Sequence, residues 1–378
     1  MKLPPLSLYV HVPWCIQKCP YCDFNSHALK GGLPEQEYIS RLLDDLRADV
    51  EWAQGRELHS IFIGGGTPSL LSADAVARLL DGINASVPIA QRAEITLEAN
   101  PGTFETERFS GFVSAGINRL SIGVQSFHSE HLERLGRIHN PDQAKAAAKH
   151  AQSLPLRSFN LDLMHGLPQQ TVPQALADLE QALELEPPHL SWYQLTIEPN
   201  TAFASRPPQL PNDDRLAEIQ ERGHELLLSA GYEHYEVSAY AKPGHQSAHN
   251  RNYWTYGDYL GIGCGAHSKV TQPTTQQIQR CEKIKHPQGY LDLTRSLRYK
   301  QWTVPTDELV YEFFMNQLRL NEAIPKTRFS ERTGLTIEHA ESSIVTAMEQ
   351  GLLISTPVEW QTTPLGRRYM NNILDQLI

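Results

Sequence analysis

Six short runs rich in β-branched and other apolar residues recur along the chain: SLYVHV, SIFIGGG, EITLEAN, RLSIGVQ, FNLDLMHG and HLSWYQLTI, beginning near residues 7, 60, 94, 119, 159 and 189. Stretches with helical spacing separate them. Strands alternating with helices predict a parallel sheet, and right-handed crossovers leave two forms for it, an open doubly wound sheet or a barrel. Nearly every run finishes in glycines or polar groups: Cys15 and its neighbours, Gly64 to Thr67, Glu98 and Asn100, Gln125, then Asp162 and His165. Such groups at the carboxyl ends of parallel strands mark a functional face, and a partial barrel gathers them around one cavity. The six βα units end near residue 230, short of the eight of a closed barrel, so the expected fold class is α/β with a partial (βα)6 barrel over 1–230.

From GYEHYEVSAYAKPG onward the pattern shifts to shorter strands and turns rich in Tyr, Gly and His, which predicts a sheet extension over 231–300. Residues 301–378 contain helix-like stretches followed by GLLISTPVEWQTTPLGRRYM, a pattern similar to a winged-helix module. A chain of 378 residues exceeds the ~250–300 over which one core keeps growing, in line with a large domain plus additions. The formal charge of −10 argues against nucleic acid as a partner. Residues 300–378 carry seven Lys/Arg against ten Asp/Glu, so a lid or docking role is expected there in place of DNA binding. No apolar run approaches the ~18–20 residues of a transmembrane segment, and no signal-peptide pattern opens the chain, so a cytoplasmic location is expected.

Three of the five cysteines, Cys15, Cys19 and Cys22, fall within HVPWCIQKCPYCDFNSH. A CxxxCxxC run on a loop after a strand brings three thiolates to one small inorganic cluster, whereas structural zinc usually shows two separated pairs. Zinc remains an alternative with His11 or His27 as fourth ligand, and disulfide pairing fits poorly with an odd count in a reducing compartment. Three sulfurs on a cubane leave the fourth iron open to an exchangeable ligand. Cys264, within GIGCGAHS, reads as a small buried residue, and Cys281 has no partner in sequence.

The CxxxCxxC loop after the first strand, with GGGTP after the second, resembles the radical S-adenosylmethionine (SAM) superfamily, in which SAM chelates the open iron of a 4Fe-4S cluster. LYVHVPWC, GGGTPSLL, LEANPGT, GVQSF, LGRIH and NLDLMHGLP stand in the order and approximate spacing of the branch containing oxygen-independent coproporphyrinogen III oxidase. The resemblance implies that Gly64, Gly65, Gly66 and Thr67 bind the methionine amino end, with glycines permitting close backbone approach. It further implies SAM contacts from Glu98, Gln125, Arg137 and Asp162, whose side chains suit ribose hydroxyls and a carboxylate. Tyr9 and Tyr21 match positions near SAM, with Tyr21 placed to flank the cluster, and core packing is the alternative reading of each.

Phe24 stands where the oxidase motif carries a further cysteine, and the first strand begins almost at once, without the oxidase's longer leading segment. Both departures favour a sister group, the heme chaperones of the HemW type, which also carries an HNxxYW stretch matched by HNRNYW at 249–254. His249 offers an imidazole able to ligate iron, and Tyr253 and Trp254 offer flat aromatic surface for a porphyrin. The implied function is to hold heme and deliver it to an acceptor heme protein, a membrane-bound respiratory enzyme being one candidate, in the cytoplasm or at the inner membrane. The alternative is oxidative decarboxylation of coproporphyrinogen III by a radical SAM enzyme.

Overall fold

The computed structural model describes residues 1–377, except for the side chains of residues 103 and 104. Six strands form its centre: β1 (Leu6–Val12), β2 (Leu58–Gly65), β3 (Ile89–Ala99), β4 (Arg119–Gln125), β5 (Ser158–His165) and β6 (His189–Gln194). Each pairs in parallel with the next, as the alternation with helices predicts. Six further strands follow: β7 (Glu233–Glu236), β8 (Ala239–Ala241), β9 (Asp258–Gly263), β10 (His267–Gln272), β11 (Gln277–Lys283) and β12 (Arg298–Thr303). The full sheet runs β12, β11, β10, β9, β1, β2, β3, β4, β5, β6, β8, β7. The extension is therefore divided. β7 and β8 add antiparallel to the β6 edge, while β9 lies parallel to β1 and continues outward through antiparallel strands.

The two faces of this sheet differ along every central strand. Leu6, Leu8 and Val10 of β1, Ile61 and Ile63 of β2, Leu120 and Ile122 of β4, and Leu161 and Leu163 of β5 are buried in the main core. Most of the intervening positions, which point the other way, are polar: Ser7, Ser60, Glu94, Thr96, Arg119, Ser121, Ser158, Asn160, His189 and Ser191. Pairings such as Ser7 with Ser60, Ser60 with Glu94, Ser121 with Asn160 and Asn160 with His189 set these groups side by side. Parallel strands covered on both faces normally read as continuous apolar runs. Here the inner face borders a cavity instead, and residues of β1 through β6 line it together, so the sheet curls around it.

Helices cover the outer face. Glu35–Asp49 buries Tyr38, Ile39, Leu42, Leu43 and Leu46, an i, i+3, i+4 stripe. Ala73–Ser86 is capped by the Ser72 hydroxyl, which accepts from the Ala75 N–H. Toward the C-terminus, helices Glu308–Gln317, Lys326–Thr333 and Ile337–Glu349 pack with a small sheet of Ile324–Pro325, Glu359–Thr362 and Leu353–Ser355. Phe313, Phe314, Phe329 and Trp360 form its centre, and the same apolar cluster takes in Tyr256 and Ile278 from the sheet side.

Candidate functional site

After β1 the chain turns into a two-residue strand, Trp14–Cys15, paired in parallel with His27–Ala28, and this pairing closes the cysteine loop. The glycine turn after β2 clasps it: the Gly66 N–H donates to the Val12 carbonyl at 2.7 Å and the Thr67 N–H to the Trp14 carbonyl at 2.8 Å. A side chain at Gly66 would place its Cβ 2.5 Å from the Trp14 oxygen. That close approach of backbone to backbone is what requires glycine. Gly64 is closed off similarly, by Phe62 and by the Glu98 carboxylate 3.0 Å from the Cβ site, and does not border the cavity below.

Cys15, Cys19 and Cys22 border one cavity of about 270 Å³ together with Tyr21, Gly65, Gly66, Thr67, Glu98, Gln125, Arg137 and Asp162. Eleven residues singled out in the sequence thus meet at the strand ends. Burial pushes the Cys15 thiol up, while the Thr67 hydroxyl beside it pulls the other way. Arg137 Nη1 lies 3.7 Å from the Cys19 sulfur, and Nη2 donates to Asn100 Oδ1 at 2.7 Å and the Gly123 carbonyl at 2.8 Å. The Glu98 carboxylate accepts the Gly65 N–H at 3.0 Å. Burial, reinforced by Asp162, pushes Glu98 up to about 8, and burial likewise raises Asp162 against bonds from Ser191, Ser121 and Asn160. Gln125 has a left-handed backbone, φ 69°, and its Oε1 accepts from Tyr193 Oη at 2.8 Å.

Both nitrogens of His11 are engaged, by Tyr9 Oη at 2.9 Å and the Asn25 carbonyl at 2.9 Å, and His27 Nε2 meets Asn25 Oδ1 at 3.2 Å. Among the described residues no three His, Cys, Asp or Glu side chains converge on a single metal ion. A cubane joins each thiolate to a different iron, and a cavity bordered by three thiols and a guanidinium fits that donor set. Tyr9 borders a second, adjoining cavity. Cys264 is buried, its thiol pushed up to about 12 by that burial.

The second cavity, about 930 Å³, shares Cys22, Phe24, Gly65, Glu98, Ser121 and Asp162 with the first. This volume lies within the range of cofactor sites. Its far wall carries His249, Tyr253 and Trp254 on the helix Ala248–Trp254. The Glu94 carboxylate anchors that helix by accepting from the N–H groups of Ala248 and His249, each at 3.1 Å. His249 is 1% exposed; Nδ1 meets Ser60 Oγ at 3.0 Å and Nε2 has no partner. Burial, then the Arg119 charge, lowers its pKa to about 3, so the ring is neutral. Its centroid lies 5.1 Å from that of Phe62 and 4.9 Å from that of Tyr253. Phe24, 58% exposed, stands where the two cavities adjoin.

Sequence reasoning passed over Ser121, Gly123 and Tyr193 in the first cavity, Arg119 in the second, and Glu94, which anchors the helix of the second cavity's far wall. Their signal was the period-two polar row within the strands.

A partial barrel with three cysteines gathered beside the glycine turn defines a radical SAM class of protein. Residues 9–182 match the radical SAM superfamily and residues 304–369 the HemN C-terminal domain. The solved structure of coproporphyrinogen III oxidase from Escherichia coli, 23% identical, superposes with a TM-score of 0.85 over 99% of this chain and 90% of that one. Heme chaperone HemW of Escherichia coli is 58% identical over 99% of this chain and 98% of its own length. The Haemophilus influenzae relative of that name is 57% identical over 99% and 98%, and the Bacillus subtilis one 32% over 97% of each. The chain belongs to the heme chaperone HemW family. Among the described residues no helix is long and apolar enough to cross a membrane.

Proposed function

We propose that the chain carries a 4Fe-4S cluster on Cys15, Cys19 and Cys22, binds SAM beside it, holds heme in the larger cavity and passes it to an acceptor heme protein. The observation carrying this reading is the pair of adjoining cavities, one bordered by three thiols and the other by HNRNYW. Residues 1–230 form the SAM core in this account, 231–300 contribute the heme wall, and 301–378 are the candidate docking module. A cluster held by these three thiols would supply an open iron for SAM to chelate. Around it, Glu98 and Asp162 would accept hydrogen bonds from ribose hydroxyls, Arg137 would meet a carboxylate, and Gln125, its carbonyl held by Tyr193, would offer its amide to the ligand. Tyr21 closes the cysteine side, and the Tyr9 hydroxyl engages His11 Nδ1 at 2.9 Å. His249, Tyr253 and Trp254 give the larger cavity an imidazole and aromatic surface for a porphyrin.

Replacing Cys15, Cys19 or Cys22 by serine is expected to remove most bound iron after anaerobic reconstitution; full iron retention contradicts the cluster assignment. The transfer claim is tested by mixing heme-loaded chain with an apo heme protein. Appearance of the acceptor's Soret spectrum, without decarboxylation of coproporphyrinogen III when SAM and a low-potential reductant are supplied, supports a chaperone. Turnover of coproporphyrinogen III establishes the oxidase instead.

A further inference from the structure

Two residues that border the larger cavity each bury a polar atom that has no hydrogen bond. Arg119, 2% exposed, opens β4, at the strand end away from the cysteines; its Nε has no hydrogen bond, and its nearest carboxylate, Glu94, stands 4.0 Å off. Glu94 is already committed to the N–H groups of Ala248 and His249. The second group is His249 Nε2. Both side chains border the one cavity, and both are linked to Glu94, Arg119 by its charge and His249 by its own backbone.

A chain of hydroxyls fixes which nitrogen of His249 carries the proton. Asn252 Nδ2 donates to the Asp258 carbonyl at 2.8 Å and to Ser7 Oγ at 2.9 Å, so Ser7 accepts there. Ser7 lies 2.7 Å from Ser60 Oγ, and Ser60 3.0 Å from His249 Nδ1. With Ser7 donating to Ser60 and Ser60 to Nδ1, each hydroxyl proton is used, and His249 holds its own proton on Nε2, facing the cavity. The opposite polarity leaves the Ser7 proton with none of these acceptors.

A buried guanidinium whose Nε has no hydrogen bond, and an N–H that borders the same cavity, complement a carboxylate, which supplies the acceptors both lack. We infer that Arg119 and the His249 Nε2–H form a carboxylate subsite at the floor of the cavity. Resting on the reading of this cavity as a porphyrin site, the subsite takes one propionate and thereby orients the macrocycle. His249 then recognises the ligand as a donor, whether or not the porphyrin carries iron.

The test uses the full chain and iron-free protoporphyrin IX against its dimethyl ester, followed by porphyrin fluorescence. The free acid is expected to bind about tenfold to a hundredfold more tightly than the ester. Arg119→Gln should bring that ratio close to one; His249→Gln, which keeps a donor but no imidazole, should retain most of it, and His249→Ala should lose part. Thermal unfolding checks each variant, and the His249 pair decides if Arg119→Gln does not fold. Equal affinity of the parent for acid and ester, or a preference undiminished in His249→Ala or Arg119→Gln, overturns the subsite while leaving heme binding intact. Failure of the parent to bind either porphyrin or heme saturably overturns the subsite and the porphyrin reading together.

Discussion

Glu98 sits where ligand chemistry and fold stability oppose each other. Its carboxyl ordinarily titrates near 4.5 and is pushed up to about 8 by burial and by Asp162. Between those values the folded chain holds a proton that the unfolded chain releases, so stability falls as pH rises across this window. The metal-free chain is therefore expected to melt at a lower temperature at about pH 8 than at about pH 6, and Glu98→Gln to flatten that slope. Parallel profiles for the two proteins count against the assignment. Gly66 is a second residue whose identity is forced. A methyl group there meets the Trp14 carbonyl at 2.5 Å and pushes the glycine turn off the cysteine loop. Gly66→Ala should cost about 1–3 kcal/mol in denaturant unfolding and lower the iron content of reconstituted protein; an unchanged iron content shows that the clasp is not needed to shape the loop.

Among the elements, the helix Glu35–Asp49 is fastened to the sheet extension through buried charge. Lys283 of β11 is fully buried between Asp45 at 2.5 Å and Asp49 at 2.6 Å, and Arg298 of β12 completes the group at 2.7 Å from Asp49. Tyr38 of the same helix donates to the His11 carbonyl at 2.6 Å, which ties this fastening to the strand that leads into the cysteine loop. Lys283→Met leaves the buried Asp45 carboxylate without a cation and Asp49 with Arg298 alone, and is expected to cost about 3–5 kcal/mol in urea unfolding; a variant as stable as the parent removes this network from the account of the fold. The element pattern was legible in the sequence where local periodicity decides it. Runs read from residues 119, 159 and 189 begin in the structure at Arg119, Ser158 and His189, while β3 starts earlier, at Ile89. The divided extension was not legible, because β9 finds β1 across some 250 residues and no local signal selects that partner. The alternation of Ser7, Tyr9 and His11 with Leu8 and Val10 was present in the sequence. Polar groups at the strand ends drew the reading there, so Glu94 and Arg119, deeper in the same rows, were passed over.

At the scale of the whole molecule, the inner face of the sheet connects the two cavities. Asp162 accepts from Asn160 Nδ2 at 2.8 Å, Asn160 Oδ1 meets His189 Nδ1 at 2.6 Å, and His189 Nε2 meets Tyr235 Oη at 2.8 Å, which accepts the Ser247 N–H at the start of the HNRNYW helix. The C-terminal module touches that helix from outside, through Arg251 to Glu322 at 2.8 Å, a Gln317 bond to the Trp254 carbonyl, and the Arg319 guanidinium 4.3 Å above the Trp254 ring. The central claim is that the larger cavity holds heme against this helix. The most direct test is an anaerobic heme titration of cluster-reconstituted protein, following the Soret band for the parent chain and for His249→Ala. The account predicts saturation near one heme per chain for the parent and a weaker, right-shifted curve for His249→Ala. Soret changes that rise without saturating, alike in both proteins, would contradict it.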